Sequence, residues 1–467
     1  VTGPLALARE ALAGQPAWVV GGVPRDRALG RDTSDVDLVL AGDVEAAARA
    51  VARGARAAVF ELSDDFGAWR VVARSGAWQI DLNPVRGGSL EADLALRDFT
   101  VNAVAEPLGG GPAVDPLGGL DDLAARRLRI AGPEAFAQDP LRVLRMARLA
   151  VELELEPDAP TLASARASAP ALGRVAAERV FAELRRIVAS DRVAEGFMLL
   201  EDVGALAVLL PELEALRGVD QNRFHHRDVH GHTLEVLEAV VSLQRDPAAV
   251  LGDEHAAAVA ARLAEPLADQ LTRGDALRLG ALLHDVAKPV TRAVLADGRV
   301  SFVGHDVEGA RMSREILARL RASERLRAHV AALARHHLRL GFLVHEQPLS
   351  RRAAYRYLHA CEPVEVDVTL LSVADRLATR GDRAEESIAR HLDLARELLG
   401  DALRWREQGQ PQVLLRGDRL ARELDLPAGP VLGELLAELA EAQYAGEVAT
   451  PEQALEHARR WLAAREG

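Results

Sequence analysis

Cysteine and lysine are nearly missing from this chain. Cys361 is the single cysteine in 467 residues, which excludes an internal disulfide and any Cys-rich zinc module. Lys288 is the single lysine, set against 56 arginines. A lysine kept where arginine serves everywhere else marks a task suited to a compact ammonium. Aromatic residues make up only 4 %. No apolar run approaches the ~18–20 residues of a membrane span, and the N-terminal stretch lacks the pattern of a signal peptide. The expectation is a cytoplasmic protein with no membrane partner.

What is present is ordinary for a folded protein. Hydrophobic residues are 49 % and charged residues 27 %, which argues against disorder. The length allows two to four domains at roughly 100–200 residues each. A net charge of −13 argues against a general nucleic-acid coat protein but leaves room for a local basic groove.

The patterning predicts an α+β protein, a small mixed α/β head followed by an all-α remainder. Strands are expected over 17–22, 34–40, 57–62, 69–73 and 77–82, with an Ala-rich helix over 43–53. From about 134 the period is helical, including segments 139–153, 174–189, 195–209, 254–271 and 324–337. Arg142, Arg145 and Arg148 recur on the first of these, and Arg174, Arg179, Arg185 and Arg186 on the second. Pro- and Gly-containing stretches near 211–218 and 408–417 are candidate boundaries.

Asp35 and Asp37 flank Val36 on a predicted strand, so both carboxylates share a face. Two hard oxygen donors on one face suit Mg²⁺. Just upstream, Gly21 and Gly22 follow a strand and precede Arg25 and Asp26. Such a turn lets backbone N–H groups approach a phosphate that Arg25 can neutralise. Asp81, in Trp78-Gln79-Ile80-Asp81-Leu82, reads either as a third carboxylate or as a charged residue on an edge strand.

Further on stand Arg97-Asp98-Phe99-Thr100-Val101-Asn102-Ala103, Asp139-Pro140-Leu141-Arg142 and Arg174-x-x-x-Glu178-Arg179. Together with Gly21-Gly22-x-x-Arg25-Asp26 and Ser34-Asp35-Val36-Asp37, these five motifs in order resemble the bacterial class II tRNA nucleotidyltransferases and their poly(A) polymerase relatives. The resemblance implies a polymerase-beta-like nucleotidyltransferase head. It implies two-metal nucleotidyl transfer with two Mg²⁺ ions on Asp35 and Asp37, a triphosphate held by Gly21, Gly22 and Arg25, and sugar and phosphate contacts from Arg97, Asp98 and Asn102. Asp139 and Arg142 would read the base edge, with Arg145 close to the nucleotide. The same two residues also read as a capped helix start with Pro140 at its first position. Arg148, Arg174, Glu178 and Arg179 would line an RNA-binding neck. The implied partners are the tRNA 3′ end, CTP and ATP.

Three departures stand out. Gln138 replaces the usual Glu before Asp139, and Leu96 stands where many relatives carry an extra Arg. The link from Asp81 to Arg97 is short, where family members that add full CCA carry a longer loop. That shortening points to altered nucleotide choice, towards CC addition alone.

A second constellation lies downstream. His232, His284-Asp285, His305, His336-His337 and Asp375 follow the order of HD-domain phosphohydrolases, including the dinuclear form. That resemblance assigns metal ligation to His232, His284, Asp285, His305, His336 and Asp375, and phosphate binding to Lys288. Imidazole with carboxylate suits Mn, Ni, Fe, Zn or Co better than Mg alone. Phosphatase and 2′,3′-cyclic phosphodiesterase activity are implied. His225, His226 and His230 read as a solvated approach loop.

The expected plan is a nucleotidyltransferase head over 1–130, a helical neck over 131–215, an HD body over 216–400 and a C-terminal helical tail over 401–467. Addition of C, A or both to tRNA is the leading expectation, in a monomer or homodimer. The rivals are a CC- or A-adding enzyme, a poly(A) polymerase, an HD phosphohydrolase with an inactive head, and a non-catalytic tRNA-binding scaffold.

Overall fold

The computed structural model describes residues 3–31, 35–63, 67–221, 226–346, 348–380 and 384–466. Ser34 and His225 lie outside them. The chain forms two compact units, Val1–Leu209 and Leu210–Gly467.

The first unit is built on a six-stranded sheet. Its strands are β1 (Ala17–Val20), β2 (Asp35–Leu40), β3 (Ala58–Ser63), β4 (Ala68–Val72), β5 (Gln79–Pro84) and β6 (Ala105–Pro107), in the order β3-β4-β5-β2-β1-β6. Only β2 and β5 run parallel. Alternation along β2 sends Val36, Leu38 and Leu40 into a core with Val19, Val71, Ile80 and Leu82. Helix Val44–Ala55 closes that core with Ala47, Ala48 and Val51. The Asp43 carboxylate caps it by accepting from the Ala46 N–H. The opposite face of β2 carries Asp35, Asp37 and Val39, and Val39 joins a smaller core with Val20, Leu90, Leu94 and Ala103.

The helical part of this unit includes Arg142–Leu153 and Ala177–Ala189. The helix expected over 195–209 is broken in two, Val193–Asp202 and Ala205–Leu209, with Gly204 at φ 73° between them. The helix Gly22–Ala28 stands where Gly21-Gly22 reads as a glycine turn, and the helices Pro4–Ala11, Leu90–Ala95 and Gly119–Ala124 had no expectation.

The second unit is almost entirely helical. Helix Arg273–Leu283 is buried on every side, as a central helix must be. A Cβ on Gly280 would stand 2.6 Å from Leu333 Cδ1, so glycine permits that close crossing. The expected helix over 254–271 stops at Leu263. A short hairpin of Pro266–Ala268 and Leu271–Thr272 follows, turning through Asp269 and Gln270 at positive φ. The three last helices, Gly417–Glu423, Pro430–Tyr444 and Pro451–Glu466, share a small core that includes Leu420, Leu435 and Ala458. Among the described residues no helix is long and apolar enough to cross a membrane.

Candidate active sites

In the first unit the strand register assembles the carboxylates. Asp35 and Asp37 share a face of β2, and the parallel ladder sets Asp37 beside Asp81 of β5. Burial, then the charges of Asp81 and Asp35, raise the Asp37 carboxyl above its ordinary range. A face that gathers acidic charge in this way fits a divalent cation. Both oxygens of Asp81 meet Arg70 of β4, each at 2.6 Å. Arg70 escapes notice in the sequence, because its partner is visible only once the strand order is known.

The glycine turn closes on the same carboxylates. Gly21 has φ 72°, and a Cβ there would come within 3.0 Å of Asp37 Oδ2. From this turn a polar relay runs into the helices. Arg25 Nη1 donates to Asn102 Oδ1 at 2.6 Å, and Asn102 Nδ2 donates to Asp98 Oδ1 at 3.0 Å. Arg145 Nη1 donates to Asp98 Oδ2 at 3.0 Å. Burial pushes the Asp98 carboxyl up, but Arg145 and the N–H donors outweigh it and leave the group below its usual range. Glu183, between Arg145 at 3.6 Å and Arg148 at 3.0 Å, ends the relay.

The expected base-reading pair is not a mutual pair. Asp139 Oδ2 accepts from Arg179 Nη2 at 2.8 Å. Arg142 donates to the carbonyls of Leu96, Arg97 and Ala135, pinning the helix start to the Arg97 segment. Arg174 and Glu178 lie on the surface of the same region. The short link after Asp81 is also tied down. Arg86 donates from its backbone N–H and Nε to Asp93 Oδ1 at 3.2 and 3.1 Å, and Arg97 Nη2 donates to Asp93 Oδ2 at 3.2 Å. A cavity of about 340 Å³ opens here, lined by Asp37, Asn83, Arg86, Asp93 and Arg97 among others.

The second unit gathers imidazoles and carboxylates into two groups, His232 with His284 and Asp375, and Asp285 with His305 and His337. His337 takes the place expected for His336. His284 and Asp285 converge on the cluster although they are adjacent, but His336 and His337 part, and only His337 turns inward. His337 is buried, with Nε2 3.3 Å from His305 Nε2. His336 is half-buried and accepts from Arg339 Nε at 2.9 Å, away from the cluster.

The Nδ1–H groups of His284, His305 and His337 donate to the carbonyls of Ala281, Phe302 and Ala334 at 2.7–2.8 Å. This fixes the tautomer and leaves Nε2 as the ligating atom. His284 Nε2 is fully buried and lies 3.1 Å from Asp285 Oδ2, yet makes no hydrogen bond of acceptable geometry. Such groups aim at a shared point rather than at each other, and the donor set fits a divalent transition ion. Burial, then His284, lowers the His337 imidazole to about 4. Burial opposes ionisation of Asp285, but His284 and Lys288 hold it well below the carboxylate range. Lys288 Nζ lies 2.7 Å from Asp285 Oδ2 and donates to Gln221 Oε1 at 2.6 Å. A cavity of about 660 Å³ leads to this cluster, lined by Lys288, Phe302, His305, His337 and Asp375 among others. His226 sits outside it, 3.1 Å from Glu235. His230 is half-buried, and that burial lowers its imidazole from the ordinary value.

Comparison with known proteins places these sites in context. Residues 17–129 match the poly A polymerase head domain, residues 146–216 the probable RNA and SrmB-binding site of polymerase A, and residues 229–380 the HD domain. An A-adding tRNA nucleotidyltransferase of Deinococcus radiodurans is 37% identical over 95% of both chains. A CC-adding tRNA nucleotidyltransferase of Thermus thermophilus is 35% identical over 96% of this chain and 94% of the relative. The fold also matches the Thermotoga maritima CCA-adding enzyme solved with tRNA, at TM-score 0.65 and 19% identity, covering 98% of this chain and 94% of the other.

Proposed function

The chain belongs to the tRNA nucleotidyltransferase family and is an enzyme of that class, and on that premise we propose that it performs one part of CCA addition, CC or A alone, on the tRNA 3′ end. The observation that carries the reading is the ladder that sets Asp37, with Asp35 on the same face of β2, beside Asp81, while the Gly21 turn closes on Asp37. Asp35 and Asp37 would hold the divalent metal. Mg²⁺, when bound there, lowers the pKa of the RNA 3′-hydroxyl and screens the leaving pyrophosphate.

The other residues bind and orient. Gly21, Gly22 and Arg25 cradle the triphosphate of CTP or ATP, and Asn102 and Asp98 fix the Arg25 guanidinium. Arg97 supplies a further phosphate contact from the cavity wall. Asp139 accepts from the exocyclic amine that cytosine and adenine share, and Arg142 and Arg179 frame it. The restriction to one part of CCA follows from the short, pinned link between Asp81 and Arg97 and from relatives named for CC or A addition alone.

The division of labour is a head over 1–130, a neck over 131–215 with Arg174, Glu178 and Arg179 towards RNA, an HD body over 216–400 and a tail over 401–467; Arg148, expected to line the neck, is instead buried against Glu183 and holds the helices together. The HD body carries a second, metal-dependent phosphohydrolase site. Its ligands are His232, His284, Asp285, His305, His337 and Asp375, with Lys288 for phosphate. These residues would hold a divalent ion of Mn, Ni, Mg, Fe or Co, which when bound would supply an activated water.

The test uses three tRNA transcripts, ending before CCA, after C and after CC, each with Mg²⁺ and CTP, ATP or both. A stop after CC, or A added only to the CC-ended transcript, is the expected result. Full CCA on the first transcript overturns the partial step, and long oligo(A) products overturn tRNA end specificity in favour of a poly(A) polymerase.

A further inference from the structure

The sheet carries an unassigned row of side chains that leads away from the catalytic pair. The ladders set Asp37 opposite Asp81, Asp81 opposite Arg70, and Arg70 opposite Phe60. Cross-strand partners share a face, so all four stand on the face of Asp37. The opposite face of these strands holds Val36, Ile80, Trp69, Val71 and Val59 in the core or packed against it. Phe60 is 47% exposed, and the β3–β4 register shifts just beyond it, between Glu61 and Ser63. An exposed aromatic on the edge strand β3 is a liability unless something covers it.

Arg70 is equipped to reach outward. Its Nε and Nη2 bind Asp81, which leaves Nη1 and one Nη2 hydrogen for another acceptor. Its side chain is 30% exposed. The two sides of β2 are chemically different. On the β1 side stand the Gly21 turn, Arg25 and Asn102, which suit a triphosphate. On the β5 side stand one outward-facing guanidinium and then an aromatic ring. That pairing suits a single strand of RNA, in which phosphate and base alternate.

We propose that Phe60 and Arg70 form the seat of the RNA 3′ strand, Arg70 contacting a phosphate and Phe60 stacking on a base upstream of the terminal nucleotide. With strands roughly 4.8 Å apart, Phe60 stands about 14 Å from Asp37 across three strand spacings. A ring that far from the 3′-hydroxyl meets an upstream base, not the terminal one. Asp81 is then a positioning residue that aims Arg70. The proposal rests on the reading of the first unit as a tRNA nucleotidyltransferase, and it adds the path of the RNA.

Two measurements test it. In steady-state kinetics, Phe60→Ala raises the KM for tRNA about five- to tenfold, the scale of one lost stacking contact. The KM for the nucleotide holds within about twofold, and Phe60→Trp restores the tRNA KM. Independently of catalysis, tRNA carrying 2-aminopurine at one of its last three positions is titrated onto protein in chelator. Quenching at an upstream position with the wild type, lost with Phe60→Ala, is the expected result. An unchanged tRNA KM, or quenching that Phe60→Ala leaves intact, overturns the seat. A wild type that incorporates no nucleotide overturns the functional reading instead, and the fluorescence arm still decides the seat.

Discussion

The two units divide the chemistry of the side chains between them. All 14 histidines, the lysine and the cysteine lie after residue 209, and the first unit works with carboxylates, amides and arginines alone. Its candidate site stands on a sheet, where a period of two and one ladder line up hard oxygen donors. The candidate site in the second unit is gathered from several helices, and imidazole supplies most of its donors. Oxygen donors favour Mg²⁺ and mixed imidazole–carboxylate sets favour transition ions, so one chain can keep two metals apart by ligand type.

The largest expected effect tests whether the sites are independent. Asp35→Ala lowers nucleotide incorporation by more than ~100-fold, beyond the loss seen for outer-shell partners. It leaves metal content of the second unit unchanged, as read by elemental analysis. Next comes the helix phase. His337→Ala weakens metal retention by at least ~100-fold, whereas His336→Ala stays near wild type. Equal losses from both would remove the distinction drawn between them.

The third prediction concerns acid. His329 and His391 are buried, and burial lowers both to about 4. Their folded values lie below the unfolded value near 6.5, so the unfolded chain binds protons first as pH falls. Stability is then undiminished above about pH 6.5 and declines down to about pH 4. At pH 5 each group costs up to about 2 kcal/mol. Urea unfolding at pH 7 and pH 5 reads this, and the double variant His329→Gln/His391→Gln reduces the slope, the rest coming from His336 and His337, which burial also lowers to about 4. The first unit, without histidine, provides no counterpart.

The smallest effect lies in the short link. Asp93→Ala releases Arg86 and Arg97, and loss of charge-assisted bonds of this kind raises the nucleotide KM about tenfold. An unchanged KM and an unchanged choice between CTP and ATP would sever the link from specificity.

The same contrast explains what the sequence revealed. Asp35 and Asp37 were legible because alternation on a strand is local. Arg70 was not, since its contact with Asp81 depends on strand order. On the helical side, the order of His and Asp residues pointed to the cluster, but His336 and His337 differ only in helix phase, which neighbours decide. The hairpin at 266–272 was missed because Asp269 and Gln270 adopt a left-handed turn without glycine. The restraint on the Arg97 segment came from Arg142 reaching backbone carbonyls, for which a sequence has no signature.

Lys288 has one more consequence. It is the one side-chain amine in the protein, it is buried against Asp285, and the one thiol, Cys361, is buried in the same unit. Covalent labelling of amines and thiols therefore has no side-chain target in the first unit and two shielded targets in the second. A short pulse of acylating or alkylating reagent, followed by weighing the intact chain and subtracting the immediate adduct on the α-amine, would time the opening of the second unit. Lys288 would report the metal pocket itself, and Cys361 the helix Arg351–Cys361.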